Sequence, residues 1–202
     1  ITLYAGIGPG TRPLTISVPY KVYMGPSVGE LFFRKLSDLD ETLAAYRGQA
    51  VSFHCEDPEL MDLHKSAPTH EQRRPPECEV SATSFALKMI EKYDLTGKLC
   101  HYSVGAGIPL IRAAKARGLR VTAEVTPHHL YYDESDITDT NRGLMQMNPP
   151  LRAVDDRLAM LAALRAGTLD YLATDHAPHT LAEKEKGVSG QPHLDTYGAF
   201  VT

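Results

Sequence analysis

Three features of the sequence predict a parallel α/β fold. Short apolar or β-branched runs recur along the chain, longer stretches with helical spacing separate them, and polar residues collect where the runs end. Strands that are apolar almost throughout, alternating with helices, describe a parallel sheet covered by helices. A closed (β/α) barrel and an open doubly wound sheet both satisfy this pattern.

In chain order, a first strand is expected over residues 2–5 and a second over 20–24. A helix over 38–46 follows, opened by Ser37 or Asp38 as its cap, and then a strand over 50–54. Residues 66–76, with Pro68, Arg73, Arg74, Pro75 and Pro76, read as a loop. The next helix, 79–93, carries Ala82, Phe85, Ala86, Met89 and Ile90 at helical spacing and leads to a strand over 98–102. A helix over 108–116 stops before Gly118, a strand spans 120–125, and a helix over 155–165 stops before Gly167. The last strand is expected over 171–174. No internal repeat, heptad pattern or low-complexity segment interrupts the alternation.

Composition limits what such a fold can do. The 202 residues, 43% of them hydrophobic, suffice for one domain with a core. Twenty-one Lys and Arg against 25 Asp and Glu give a net charge of -4, so no basic excess exists to neutralise nucleic acid. No apolar run approaches the roughly 20 residues that span a bilayer. Neither a signal peptide nor a disulfide framework is visible, since Cys55, Cys78 and Cys100 are few and odd in number. A cytoplasmic protein is expected. The chain opens at Ile1 without Met and closes on Gly198-Ala199-Phe200-Val201-Thr202, which reads as a helix start; the expectation is a chain cut at both ends.

The chemistry gathers at strand ends. His54 follows Val51-Ser52-Phe53, His101 follows Lys98-Leu99-Cys100, Asp175 follows Leu172-Ala173-Thr174, and Lys21 lies within Tyr20-Lys21-Val22. The C-terminal edge of a parallel sheet is where ligands bind and where barrels collect catalytic groups. Imidazoles and a carboxylate arriving from separate strands suit a divalent metal that accepts nitrogen and oxygen together. The ordinary alternative for Lys21 is a snorkelling or ion-paired strand lysine. His64 and His70 are expected at the solvent. Of the adjacent His128 and His129, one is expected to pack and the other to face the site mouth, and His193 is left open. Cys55 and Cys100, each next to a histidine, are expected to pack on the opposite face of their strands.

Six ordered segments then carry a family resemblance. They are Tyr20-Lys21-Val22-Tyr23-Met24-Gly25, His54-Cys55-Glu56-Asp57, His101-Tyr102-Ser103, Thr122-Ala123-Glu124-Val125-Thr126-Pro127-His128-His129-Leu130, Met147-Asn148-Pro149-Pro150-Leu151-Arg152 and Ala173-Thr174-Asp175-His176-Ala177-Pro178-His179. Together they resemble the amidohydrolase superfamily and, within it, the dihydroorotases of the bacterial and archaeal type. Hydantoinases and allantoinases are similar but usually differ at these segments.

The resemblance implies a partial (β/α)8 TIM-type barrel with a metal-dependent amidohydrolase fold, in which the six strands stand as strands three to eight. Residues 1–202 would then be part of one barrel domain, with strands one and two and the C-terminal end missing. The family's first strand supplies a His-x-His pair and an arginine for the substrate carboxylate, and no His-x-His occurs in this chain. The isolated chain is therefore expected to be inactive. By the same resemblance Lys21, His54, His101 and Asp175 would hold one or two divalent ions, zinc in the first instance, with Lys21 carboxylated. Asp175 would also move the proton. Asn148 and His179 would hold the substrate's polar edge and carboxylate, and Gly190 would offer its backbone. Arg74 also matches a recurrent segment, without a role.

The implied reaction is the reversible interconversion of N-carbamoyl-L-aspartate and dihydroorotate in pyrimidine biosynthesis. The implied partners are that small-molecule substrate and either a second copy in a homodimer or aspartate carbamoyltransferase, with no nucleic acid and no membrane. Two alternatives remain open. One is a hydantoinase- or allantoinase-type hydrolase. The other is a non-catalytic dihydroorotase-like scaffold for aspartate carbamoyltransferase, against which the retention of His54, His101 and Asp175 argues.

Overall fold

The computed structural model describes residues 2–27 and 29–190. His193 and the helix start expected at Gly198 lie outside the described residues. Six parallel strands form one sheet in the order in which the chain makes them: β1 (Ala5–Ile7), β2 (Tyr20–Tyr23), β3 (Ala50–His54), β4 (Thr96–Leu99), β5 (Val121–Val125) and β6 (Tyr171–Leu172). Ala5 stands opposite Tyr20, Lys21 opposite Ser52, Phe53 opposite Leu99 and Val125 opposite Leu172. A doubly wound sheet reverses its strand order at a switch point. This sheet never reverses, so of the two architectures the sequence allows, the chain adopts the barrel, here a partial one.

Helices fill the crossovers from β2 onward. Between β2 and β3 runs α1 (Leu36–Leu43), prolonged by a 3-10 turn at Ala44–Tyr46. The next crossover holds α2 (Pro58–His64), α3 (His70–Arg73) and α4 (Pro76–Lys92). Then come α5 (Ile108–Ala116) before β5, α6 (Pro127–Tyr131) and α7 (Val154–Arg165) before β6, and α8 (Leu181–Glu185) after it. Gly118 and Gly167 end α5 and α7 with φ of 84° and 71°, the left-handed turn that glycine adopts without a steric penalty. No helix among the described residues is long and apolar enough to cross a membrane.

The core lies where α4 covers the sheet. Ala82, Ala86 and Ile90 form one buried stripe of that helix, and Phe53, Leu99, Val22 and Val125 face the same core from the strands. Gly97 in β4 lets the helix approach closely, because a Cβ there would lie 2.2 Å from Ile90 Cδ1. Near the first crossover Tyr20 and Tyr46 meet edge to face at 5.0 Å, and the Tyr46 hydroxyl donates to Thr11 Oγ1 at 2.8 Å.

Several boundaries differ from the expectation. The first strand is Ala5–Ile7 rather than 2–5; Leu3 and Tyr4, apolar as they are, stand 76% and 48% exposed without a strand partner. The fourth ends at Leu99 rather than 102, because the backbone of His101 turns left-handed at φ 37°. The last strand is two residues long instead of four. Residues 66–76 are not simply a loop: Thr69 and Gln72 form a reciprocal capping box that opens α3. Pro76 opens α4 three residues before Glu79, as proline can in a first helical turn. Asp57 caps α2, its carboxylate accepting from the amides of Glu59 and Leu60 at 2.9 and 3.3 Å.

Candidate active site

The C-terminal edge of the sheet brings two histidines face to face. His54, the last residue of β3, lies with Nδ1 3.0 Å from Nε2 of His101, two residues beyond β4. The rings meet nearly edge to face, with centroids 4.7 Å apart. Nε2 of His54 is 2.7 Å from Glu56 Oε2, and the same carboxylate oxygen takes the Arg74 guanidinium. An ionised carboxylate only accepts, so His54 must donate through Nε2 and present a bare lone pair at Nδ1. His101 then donates its Nε2 proton to that lone pair. Its own Nδ1 is buried without a hydrogen-bond partner among the described residues.

Charge follows from this geometry. Burial lowers the pKa of both histidines; for His54 the neighbouring Glu56 only partly opposes it, and for His101 the facing His54 adds to it. Both imidazoles are thus neutral near pH 7, the form that binds a metal. Burial alone would raise Glu56, but the Arg74 guanidinium and His54 outweigh it and hold the carboxyl at about 2.

Lys21 is half-buried on β2, next to the Cys100 thiol, with its ammonium 5.2 Å from the Tyr23 ring centroid. Burial opposes its charge, while Cys100, Tyr23 and Asp175 together hold its pKa above the usual lysine value. Cys55 and Cys100 are buried as expected. Cys100 differs from the expectation in one respect: its thiol lies against Lys21, on the site side of the sheet.

Asp175, three residues past β6, borders the open mouth and is accessible to solvent. Desolvation by the surrounding protein nevertheless raises its carboxyl to about 6, with Lys21 opposing and Glu124 adding. Like His101 it holds a left-handed backbone, at φ 46°. Non-glycine residues pay strain in that region, and such residues cluster at functional sites.

The remaining candidates form a second group. Asn148 donates from Nδ2 to Ser27 Oγ at 3.3 Å, while its Oδ1 is buried without a partner among the described residues. His179 is half-buried, with Nδ1 3.8 Å from Glu183. Gly190 packs onto it so closely that a Cβ would stand 2.8 Å from His179 Cδ2. Arg74, Gln146, Asn148 and Ser189 share the wall of a cavity of about 890 Å³. Lys21, His54, His101 and Asp175 do not line that cavity; Arg74, through Glu56, links the two groups.

Two buried ion pairs, Glu56 with Arg74 and Glu79 with Arg152, have no role that the sequence assigns. Arg74 joins Glu56 and also donates to the Pro26 carbonyl at 2.6 Å. Arg152 pairs with Glu79 at 3.2 Å, donates to Ser103 Oγ at 3.1 Å and to the Arg74 carbonyl. The four charges fasten the loops beneath the histidines to one another. Glu56 and Arg152 stand in segments that carry the family resemblance, but their partners are remote in sequence. His70, expected at the solvent, is buried with Nε2 2.9 Å from the Met147 carbonyl, because α3 turns inward. His128 and His129 are both buried on α6, which Thr126 caps; His129 Nε2 lies 3.2 and 3.3 Å from the Pro149 and Pro150 carbonyls and is near enough to His101 to help lower its pKa.

The donors at the strand ends fit one side of a divalent-metal site. Tetrahedral zinc with Zn–N of about 2.0–2.1 Å sets two nitrogens roughly 3.3 Å apart. The facing nitrogens of His54 and His101 stand within a few tenths of that separation, and both would be donors once His101 carries its proton on the unpartnered Nδ1 instead of Nε2. Among the described residues no three His, Cys, Asp or Glu side chains converge into a ready cage.

A partial parallel barrel with paired imidazoles and a strained aspartate at or just beyond its strand ends, and a lysine within β2, has the amidohydrolase fold of solved hydantoinases. No family model matches the chain. Its likeness to curated proteins named dihydroorotase is plain: 41% identity over 157 residues with that of Bacillus licheniformis, covering 74% of this chain and 36% of that protein. With the dihydroorotase of Lactobacillus johnsonii it is 38% over 146 residues, covering 69% and 34%. The chain thus spans about a third of the length of these curated relatives. Among solved structures, a D-hydantoinase superposes with a TM-score of 0.77 at 27% identity, over 86% of this chain and 42% of that one. The L-hydantoinase (dihydropyrimidinase) of Arthrobacter aurescens gives 0.83 over 96% and 48%, a likeness of fold alone at 23% identity.

Proposed function

We propose that the protein carrying this chain is a dihydroorotase, closing N-carbamoyl-L-aspartate to dihydroorotate and opening it again. The observation that carries the proposal is the pair of neutral imidazoles of His54 and His101, their nitrogens 3.0 Å apart at the end of β3 and just beyond β4, with Asp175 close to the charge of Lys21 on β2. The curated relatives named dihydroorotase support it over the hydantoinase alternative, since their identity is the higher.

His54 and His101 would hold a divalent ion, zinc first, with Asp175 and a carboxylated Lys21 completing the donors. Such an ion supplies a lowered pKa for water and polarisation of the amide carbonyl. The protein's own part is orientation and proton transfer. Asp175, with a pKa raised to about 6, is placed to accept a proton near neutral pH and return it to the leaving ring nitrogen. Lys21 as an ammonium repels a cation; carboxylation makes it an anionic oxygen donor. Asn148 Oδ1 offers an unused acceptor for a substrate N–H, and His179 and the Gly190 backbone would face the carboxylate end. The six strands would be the third to eighth of the barrel, with further ligands outside residues 1–202. That reaction would supply pyrimidine synthesis, with the cytoplasm as its expected place.

The test is a substrate panel on the whole protein, with and without a chelator. Dihydroorotate should turn over at least ten times faster than hydantoin or allantoin, chelation should abolish turnover, and residues 1–202 alone should be inactive. Faster hydantoin turnover would replace the reading with the hydantoinase one. Stoichiometric absence of metal with no turnover would favour a scaffold for aspartate carbamoyltransferase.

A further inference from the structure

Lys184 lies in α8, outside every motif that carries the family resemblance. Its side chain is buried, and its ammonium donates to three main-chain carbonyls: Gln146 at 2.6 Å, Val188 at 3.0 Å and Gly190 at 2.6 Å. An ammonium has three protons to give, and all three go to carbonyls. A buried cation matched only by carbonyls is costly to keep, so it marks a place where fixed backbone geometry matters.

The three carbonyls share a location. Gln146 precedes Asn148 by two residues, and Val188 and Gly190 belong to the loop after α8. Gly190 itself closes on the segment of His179, where a Cβ would come 2.7 Å from the Ala177 carbonyl. Gln146 doubles the tie: its Nε2 donates to the Gly187 carbonyl and, at 3.1 Å, to Ser189 Oγ. The amide of Gly190 returns a bond to the Gln146 carbonyl at 3.0 Å. Gln146, Asn148 and residues 187–189 all line the cavity that Arg74, through Glu56, links to His54.

We propose that Lys184 is a positioning residue that, with Gln146, locks the Asn148 segment, the His179 segment and the Gly190 loop into one substrate-holding wall. The proposal rests on the reading of Asn148, His179 and Gly190 as substrate contacts. Lys184 reaches the substrate only through other residues and stands apart from the proton-transfer group. Its loss therefore weakens binding and spares the chemical step, which is a rise in KM at nearly constant kcat.

The experiment compares the whole protein with its Lys184→Met, Lys184→Arg and Gln146→Leu variants, using dihydroorotate as the probe. Lys184→Met should raise KM about tenfold with kcat within about twofold. Amides of residues 187–190 should exchange faster while those of β3 and β4 do not. Lys184→Arg should recover part of the loss, since guanidinium keeps the charge but not the compact three-carbonyl geometry. An unchanged KM in a folded Lys184→Met protein overturns the proposal. So does a parallel fall in kcat and thermal stability with faster exchange throughout, which would make Lys184 merely structural. Should Lys184→Met fail to fold, Gln146→Leu decides by the same two readouts. If the wild type does not turn over dihydroorotate, the functional reading fails; the exchange at 187–190 still judges the clamp.

Discussion

His54 spends both ring nitrogens, one toward Glu56 and one toward His101, and that division makes Glu56 decisive for the site. Without an anion at Nε2 the ring is free to put its proton on Nδ1 and hide the lone pair a metal needs. If His54 and His101 hold the proposed ion, Glu56→Gln should therefore weaken zinc binding about 10- to 100-fold, the usual cost of losing a partner behind a metal-binding histidine. Competition with a chromophoric chelator measures this, and ¹⁵N shifts of His54 in the metal-free protein report the tautomer directly. An unaltered tautomer and affinity would show that Glu56 serves only Arg74. The histidines and Asp175 were legible in the sequence because each follows an apolar run. The role of Glu56 was not, because its partner Arg74 stands 18 residues away and nothing local marks the pair. The left-handed turns at His101 and Asp175 were equally hidden, since no glycine or asparagine announces them.

At the scale of elements, α4 packs closely on β4, where Gly97 leaves room for Ile90. A methyl group at 97 would sit 2.2 Å from Ile90 Cδ1, and Ile90 is itself buried. Gly97→Ala should thus cost about 1–3 kcal/mol, the usual penalty for overpacking a core. Ile90→Val removes the nearer clashing carbon, Cδ1, while keeping Cγ1 at 2.6 Å, and alone costs about 0.5–1.5 kcal/mol. The double variant should be more stable than the two single losses summed, a coupling that urea denaturation resolves. Additive losses would mean that the strand, not the helix, gives way. This contact also shows what periodicity conveys and what it omits. The stripe Ala82, Ala86, Ile90 located α4, and the glycine stops located the ends of α5 and α7. α3 stayed hidden because its signal is the hydrogen-bonding pair Thr69 and Gln72 within a proline-rich stretch, where apolar spacing is silent. The apolar residues Leu3 and Tyr4 misled for the converse reason: a strand needs a partner in register, and Ala5 is the first residue to have one.

Across the whole molecule, the buried ionisable groups set opposing limits on stability against pH, which can be read in metal-free protein held in chelator. Glu56 is lowered from 4.5 to about 2, so its contribution is present above pH 4.5 and is lost as pH falls toward 2. His54, His70 and His101 are lowered by burial from 6.5, so theirs is present above pH 6.5 and is also lost as pH falls. Glu79 runs the other way. Burial raises it from 4.5 to about 7 despite Arg152, so its contribution is full below pH 4.5 and is lost as pH rises through 7. A shift of this size corresponds to roughly 3 kcal/mol for each glutamate when the limit is fully crossed. Stability should therefore peak between about pH 6 and 7 and fall on both sides. Relative to wild type, Glu79→Gln should flatten the alkaline limb between pH 5 and 8 and leave the acid limb alone. Glu56→Gln should make the acid limb shallower below pH 4.5 and lower the plateau above it. Denaturant titrations at stepped pH separate the two. An alkaline limb that persists in Glu79→Gln would show that Arg152 holds Glu79 ionised throughout, with desolvation the lesser force in that buried pair.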